Sequence, residues 1–144
     1  MSTNIYFIKN TITHNFKIGK ANEPIKRLKQ LQTGNEAKLE IYVSIPTSNL
    51  KLETLLHGYF KTSKLQGEWF KITDSDVDQI ILLVNQKDNF DNMNIRELRL
   101  VAKINNINAN LKKADIIFAL NKKFSSDESE EEDITEFKSG CIII

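Results

Sequence analysis

The sequence predicts an α/β fold of the α+β kind: a small mixed β-sheet flanked by helices, followed by a short helical unit and a disordered acidic tail. Three observations predict it. β-Branched and aromatic residues fill two short stretches, Asn4 to Lys9 (NIYFIK) and Phe16 to Gly19, on either side of a turn signal. Apolar residues then recur at helical spacing in three separate segments of the first 85 positions. Near the end, Ser125 to Asp133 (SSDESEEED) is a like-charge run with almost nothing to bury.

The elements follow in order. The two opening stretches form a hairpin across Thr13-His14-Asn15. Asn22 is a suitable helix N-cap and Pro24 fits a first helical turn. Ile25, Leu28 and Leu31 give that helix its apolar stripe until Gly34-Asn35 stops it. Leu39 to Ile45 alternates as a third strand, which Pro46 ends. Thr47 or Ser48 caps the next helix, whose stripe is Leu52, Leu55, Leu56 and Tyr59. Gly67 breaks the chain before a short extended segment, Glu68 to Ile72. Thr73 to Asp76 caps a third helix with Val77, Ile80, Ile81 and Val84 on its inner face. The order is β-β-α-β-α-β-α over residues 1–88.

Lys87 to Asn92 is polar, lacks apolar periodicity and reads as a linker. Residues 92–123 hold two short helical patterns. Asn94 with Glu97 resembles a capping box, Leu98, Val101 and Ala102 share one face, and Ile116, Ile117 and Leu120 another. Residues 124–144 form the tail.

Composition bounds the function. Of 144 residues, 40% are hydrophobic and 27% charged, which is ordinary for a globular chain. No apolar run approaches the roughly 18 residues of a membrane span, and the N-terminus lacks a signal-peptide pattern. One cysteine and two histidines cannot build a zinc finger or ribbon. The chain reads as intracellular, cytoplasmic or nuclear. Residues 1–90 carry 12 basic and 9 acidic side chains, residues 91–123 carry 7 and 3, and residues 124–144 carry 1 and 7. Two mildly basic segments suit a polyanionic partner without demanding one. Cys141-Ile142-Ile143-Ile144 has the form of a C-a-a-X prenylation signal, although isoleucine is not a usual last residue.

Ile5-Tyr6, Lys17-Ile18-Gly19, Arg27, Glu53 and the closing phrase Gly67-Glu68-Trp69-Phe70 occur in an order that resembles the GIY-YIG nuclease superfamily. The likeness is to its short branch in phage and large DNA virus proteins, where KIG stands at the YIG position. FKIGKA, RLKQLQTGN, ETLLHGYF and GEWF all fit that branch. Asn4 stands where the full motif has its opening glycine, and Lys17 where YIG has its tyrosine. The resemblance implies a metal-dependent DNA endonuclease using Mg²⁺ or Mn²⁺, with no small-molecule cofactor. Glu53 is then the carboxylate ligand of the metal. Tyr6 positions or deprotonates the attacking water, with the Lys17 cation offsetting a phenol that is a poor base near neutrality. Arg27 holds phosphate oxygens. His57, one helical turn after Glu53, belongs to the site as hydrogen-bond partner or proton shuttle. Gly19, Lys20 and Lys26 lie where DNA approaches, Gly19 by leaving the strand end open.

Taken singly, these residues read as ordinary structure: Tyr6 as core, Lys17 and Arg27 as surface cations, Glu53 as an exposed helix residue, His57 as a boundary residue. A non-cleaving DNA-binding protein on the same fold is the alternative. A third reading is an interaction protein that recruits partners through its tail. Residues 94–123 also resemble the helix-extended-helix of the Rho N-terminal and SAP type. That likeness makes Arg96, Arg99, Lys103, Lys112 and Lys113 candidate phosphate contacts.

Overall fold

A computed structural model describes residues 3–132. Its elements are β1 (Thr3–Asn10), β2 (Phe16–Ala21), α1 (Pro24–Gln32), β3 (Leu39–Thr47), α2 (Leu52–Tyr59), β4 (Trp69–Phe70), α3 (Asp74–Val84), α4 (Ile95–Ile104) and α5 (Lys113–Glu132), with short 3₁₀ turns at Lys61–Ser63 and Phe90–Asn92. The anticipated order of strands and helices holds. No described helix is long and apolar enough to cross a membrane. Two compact units divide between Leu82 and Leu83, within α3, where the sequence places the boundary after residue 88.

The first unit is built on a four-stranded sheet in the order β3-β1-β2-β4. A mixed sheet was expected, but all three pairings are antiparallel. The reason is the place of β1. It sits between β2 and β3, so the crossover through α1 returns β3 beside β1 rather than beside its parallel relative β2. Ile5, Tyr6, Phe7 and Ile8 are all buried. Successive side chains on a strand alternate sides, so the central strand is covered on both faces. On one face, Tyr6 and Ile8 pack with Leu39 and with Leu28 and Leu31 of α1. On the other, Lys9 pairs with Asp74 at the start of α3 at 2.8 Å and lies over the rings of Phe16 and Tyr42.

Several boundaries differ from expectation for local reasons. Glu23, not Asn22, precedes α1, and no side chain caps the helix; Asn22 instead offers its carbonyl to the Asn4 amide at 3.3 Å. β3 continues through Pro46 to Thr47, because proline is tolerated at an edge strand. α2 starts only at Leu52. Thr47 and Asn49 side chains accept from Asn49 N and Lys51 N and tie up the intervening turn. The inner face of α2 is carried by Leu52 and Leu56.

In the second unit the capping box is present: Asn94 Oδ1 accepts from Glu97 N at 2.8 Å, and Glu97 Oε1 from Asn94 N at 3.2 Å. α4 ends in a Schellman turn. Asn106 takes the left-handed conformation (φ 61°), and the Ile107 and Asn106 amides return to Ala102 O and Lys103 O. The segment read as a linker contributes Phe90, which is buried and stacks on Phe124 at 5.8 Å. One aromatic in a polar stretch has no periodicity to announce it. α5 runs through Glu132, into the acidic run expected to be disordered, since glutamates are good helix formers and nothing breaks the helix there. The remainder of the tail and Cys141 lie outside the described residues.

Replacing Asn94 with alanine removes the cap acceptor, so the second unit should lose about 1 kcal/mol. Urea unfolding followed by far-ultraviolet circular dichroism checks this; an unmoved midpoint would show that the box contributes nothing.

Candidate active site

The pairing of β1 with β2 starts the site. Tyr6 stands opposite Gly19, and Ile8 opposite Lys17. Residues directly opposite in an antiparallel pair share a face, so Tyr6, Lys17 and Gly19 lie together on the side that α1 covers. Gly19 is buried beneath the Tyr6 ring. A Cβ there would meet the Tyr6 hydroxyl and would lie 2.9 Å from Cε1. The glycine was expected to open the strand end to a close approach by DNA; its open side is instead filled by the tyrosine.

Lys17 is the one buried charged side chain among the described residues. Its Nζ meets Glu68 Oε1 at 3.1 Å. Glu68 arrives from the turn before β4, where Gly67 takes a positive φ of 64°. β4 pairs with β2 over only two residue pairs, Phe16 with Phe70 and Lys17 with Trp69. The next step of the ladder is half made: Ile18 N donates to Glu68 O at 3.1 Å. The Ile18 carbonyl meets a side chain, His57 Nε2, at 2.8 Å. A carbonyl only accepts, so Nε2 carries the proton, and in the neutral ring Nδ1 keeps its lone pair. The His57 ring lies edge-on to Phe70, with centroids 5.1 Å apart.

α2 packs against β2 and sets Glu53 and His57 one turn apart. Glu53 lies in the first turn of α2 and His57 in the last. A ligand atom of Glu53, one of His57 and one of Glu68 lie within 4.8 Å of one another, all three residues being half-buried. Two carboxylates and an imidazole form a donor set that fits a divalent ion. Carboxylate oxygens suit Mg²⁺ and Mn²⁺ alike, and the imidazole nitrogen favours Mn²⁺.

Arg27, half-buried on α1, donates to Gln30 Oε1 at 3.2 Å and hydrogen-bonds the Tyr6 phenol. Burial pushes the phenol above its ordinary 10.0. The Arg27 hydrogen bond and charge pull it down, while the charges of Glu68 and Glu53 push it further up. Arg27, Glu68 and Glu53 thus all act on the Tyr6 phenol.

The first unit thus gathers Tyr6, Lys17, Arg27, Glu53 and His57. Glu68 joins them and was missed as a site residue. The phrase GEWF contains it, but only the β2–β4 pairing places it beside Lys17, 51 positions earlier. Lys20 and Lys26 are exposed, and Lys26 lines a shallow depression at the start of α1 with Glu23, Pro24, Ile25 and Lys29. Arg96, Arg99, Lys103, Lys112 and Lys113 are exposed in the second unit. The first three share a face of α4; Lys113 begins α5 and Lys112 directly precedes it.

Residues 3–85 match the model of the T5orf172 domain, a phage nuclease-associated family of GIY-YIG/HNH-like character. No curated protein and no solved structure gives a match.

Because Arg27 lowers the Tyr6 ionisation, replacing it with glutamine should move that ionisation to still higher pH. Tyr42 is also raised, through its hydrogen bond to Asp78, so the ultraviolet titration is done in a Tyr42→Phe background. An unchanged titration curve would separate Arg27 from the phenol. The unfolded chain loses the Tyr6 proton near pH 10 while the folded chain keeps it. Stability should therefore fall as pH rises from the unfolded value through the folded one.

Proposed function

The chain belongs to the T5orf172 domain family, and on that premise we propose that it is a metal-dependent DNA endonuclease hydrolysing phosphodiester bonds through a GIY-YIG-type site. Membership supports a nuclease or DNA-binding role, with DNA as the fitting partner. The observation that carries the finer reading is the gathering of Tyr6, Arg27, Glu53 and His57, from three separate elements, around a donor set fit for a divalent ion.

Hydrolysis needs a water oxygen placed in line with phosphorus, stabilisation of the added negative charge, and departure of the sugar oxygen. A Mg²⁺ or Mn²⁺ ion held through Glu53 supplies charge neutralisation and orientation when bound. Arg27 offers a fixed fork of donors to the phosphate oxygens and keeps its positive charge at any working pH. Tyr6 orients the attacking water through its hydroxyl; only its ionised form, which the Arg27 charge favours and burial opposes, could take the water's proton. His57, with its Nε2 proton committed to the Ile18 carbonyl, has Nδ1 left to interact within the site.

One observation favours the alternative of a non-cleaving DNA-binding protein. Burial holds the Tyr6 phenol protonated at neutral pH, and the Lys17 ammonium is paired with Glu68 rather than turned to the phenol.

Supercoiled plasmid with Mg²⁺ or Mn²⁺ decides between the two. The wild type should nick or linearise it, and EDTA should abolish the reaction. Glu53→Ala and Arg27→Ala should each lower the rate by about a hundredfold or more, the scale of losing one group that stabilises transition-state charge. No cleavage, with equal gel shifts by wild type and Glu53→Ala, would make this a binding protein.

The second unit supplies affinity in the same proposal. Arg96, Arg99 and Lys103 present cations on one face of α4, and Lys112 and Lys113 add two more. For each residue that touches a phosphate, replacement with glutamine should reduce the slope of log affinity against log salt by about 1. A slope unchanged in the fivefold variant would remove DNA contact from this unit.

A further inference from the structure

We infer that Glu68 is a ligand of the divalent ion alongside Glu53 and His57, and that the ion and the Lys17 ammonium compete for its carboxylate. This deepens the proposed function and rests on its reading of Glu53 as a metal carboxylate.

The three donor atoms are close enough to share one ion, lying within 4.8 Å of one another. They come from two separate segments of the chain that meet at Ile18. Glu53 and His57 come from one helix, spaced by a turn. Glu68 comes from the strand edge, its backbone carbonyl fixed by Ile18 N at 3.1 Å. The carbonyl of the same residue fixes the His57 ring through Nε2 at 2.8 Å. A ligating histidine characteristically gives its other ring N–H to a carbonyl or carboxylate, which fixes tautomer and ring orientation. His57 has such a carbonyl partner at Nε2, so Nδ1 is the nitrogen assigned to the ion.

Lys17 completes the argument. Two carboxylates and an imidazole converging at one place need positive charge nearby, and Lys17 Nζ provides it at 3.1 Å from Glu68 Oε1. A carboxylate has two oxygens and about four acceptor positions, so Glu68 can serve the ammonium and turn an oxygen to a metal. The ammonium draws on the electron density that an ion would use, so Lys17 weakens the site it neutralises. Glu68 is thereby tied to metal affinity through a contact that Glu53 lacks.

Binding of Mn²⁺ to full-length protein without DNA tests this directly, with free Mn²⁺ read by electron paramagnetic resonance. Glu68→Gln preserves shape and should weaken Mn²⁺ binding by at least about tenfold, a loss that even outer partners of metal ligands produce. Lys17→Met keeps the buried stem, removes the competitor and should tighten binding several-fold. Wild-type affinity in Glu68→Gln, with binding lost in Glu53→Gln, would overturn the role of Glu68 and leave the nuclease proposal standing. Weaker binding in Lys17→Met would overturn the competition. Absence of Mn²⁺ binding by the wild type would overturn the metal site as a whole, and circular dichroism of each variant separates these outcomes from unfolding.

Discussion

Both backbone polar groups of Ile18 point away from β1, and what meets them shapes the site. β4 is only two residues long, so the ladder on that edge of β2 runs out at Ile18. A buried backbone carbonyl without a partner costs on the order of 1–3 kcal/mol. The chain meets that demand with a side chain from another element, His57 of α2, while the Ile18 amide takes the carbonyl of Glu68. A short strand therefore brings a helix and a turn to one point. A longer β4 would satisfy Ile18 by regular pairing and leave His57 without its anchor. The shortness of the strand is thus part of the architecture of the site.

Around that point the electrostatics are balanced rather than uniformly favourable. Lys17 is nearly enclosed, and its carboxylate partner is about half open to solvent. A buried ion pair is weak evidence for stability, because desolvation offsets much of the attraction. An apolar residue at position 17 would complete the face that Tyr6 and Ile8 begin at less cost. Tyr6 shows the same tension, with burial and two carboxylates favouring its protonated form and Arg27 opposing them. The first unit carries its charged and polar groups where a sheet packed for stability alone would carry hydrocarbon.

Much of this architecture is legible in the sequence, and the illegible parts share a physical cause. Periodicity reports which side of an element is apolar, so the order of strands and helices and the α2 face of Leu52 and Leu56 could be read directly. The capping box at Asn94 and Glu97 is a local pattern three residues long, and it is present as read. Of the candidate site, the Glu53–His57 pair is legible because helical spacing alone brings the two together. Tyr6, Lys17 and Arg27 come only with the order of motifs, since nothing local distinguishes each from core or surface. Glu68 depends on strand register between segments 51 positions apart, which no local pattern encodes. Phe90 is hidden for the same reason: its partner Phe124 lies far along the chain. Gly19 was legible as a glycine that mattered, but the reason, the Tyr6 ring lying over it, required the pairing register.

Each site residue has a sufficient structural explanation when taken alone. Glu53 complements the positive end of the α2 dipole, and His57 satisfies Ile18. Arg27 bonds Gln30 along its own helix, and Glu68 neutralises Lys17. None of these explanations requires the residues to be near one another. A helix-dipole partner works equally well on a helix at the periphery, and a lysine can be neutralised at any edge. Convergence is the feature left over: carboxylate, imidazole and carboxylate within 4.8 Å, with a buried phenol and a guanidinium beside them. Like-charged groups brought together disfavour the folded state unless something positive joins them, and Lys17 and Arg27 supply part of that charge. A divalent cation and a phosphate together would satisfy the whole constellation, the cation meeting the carboxylates and the phosphate meeting the guanidinium.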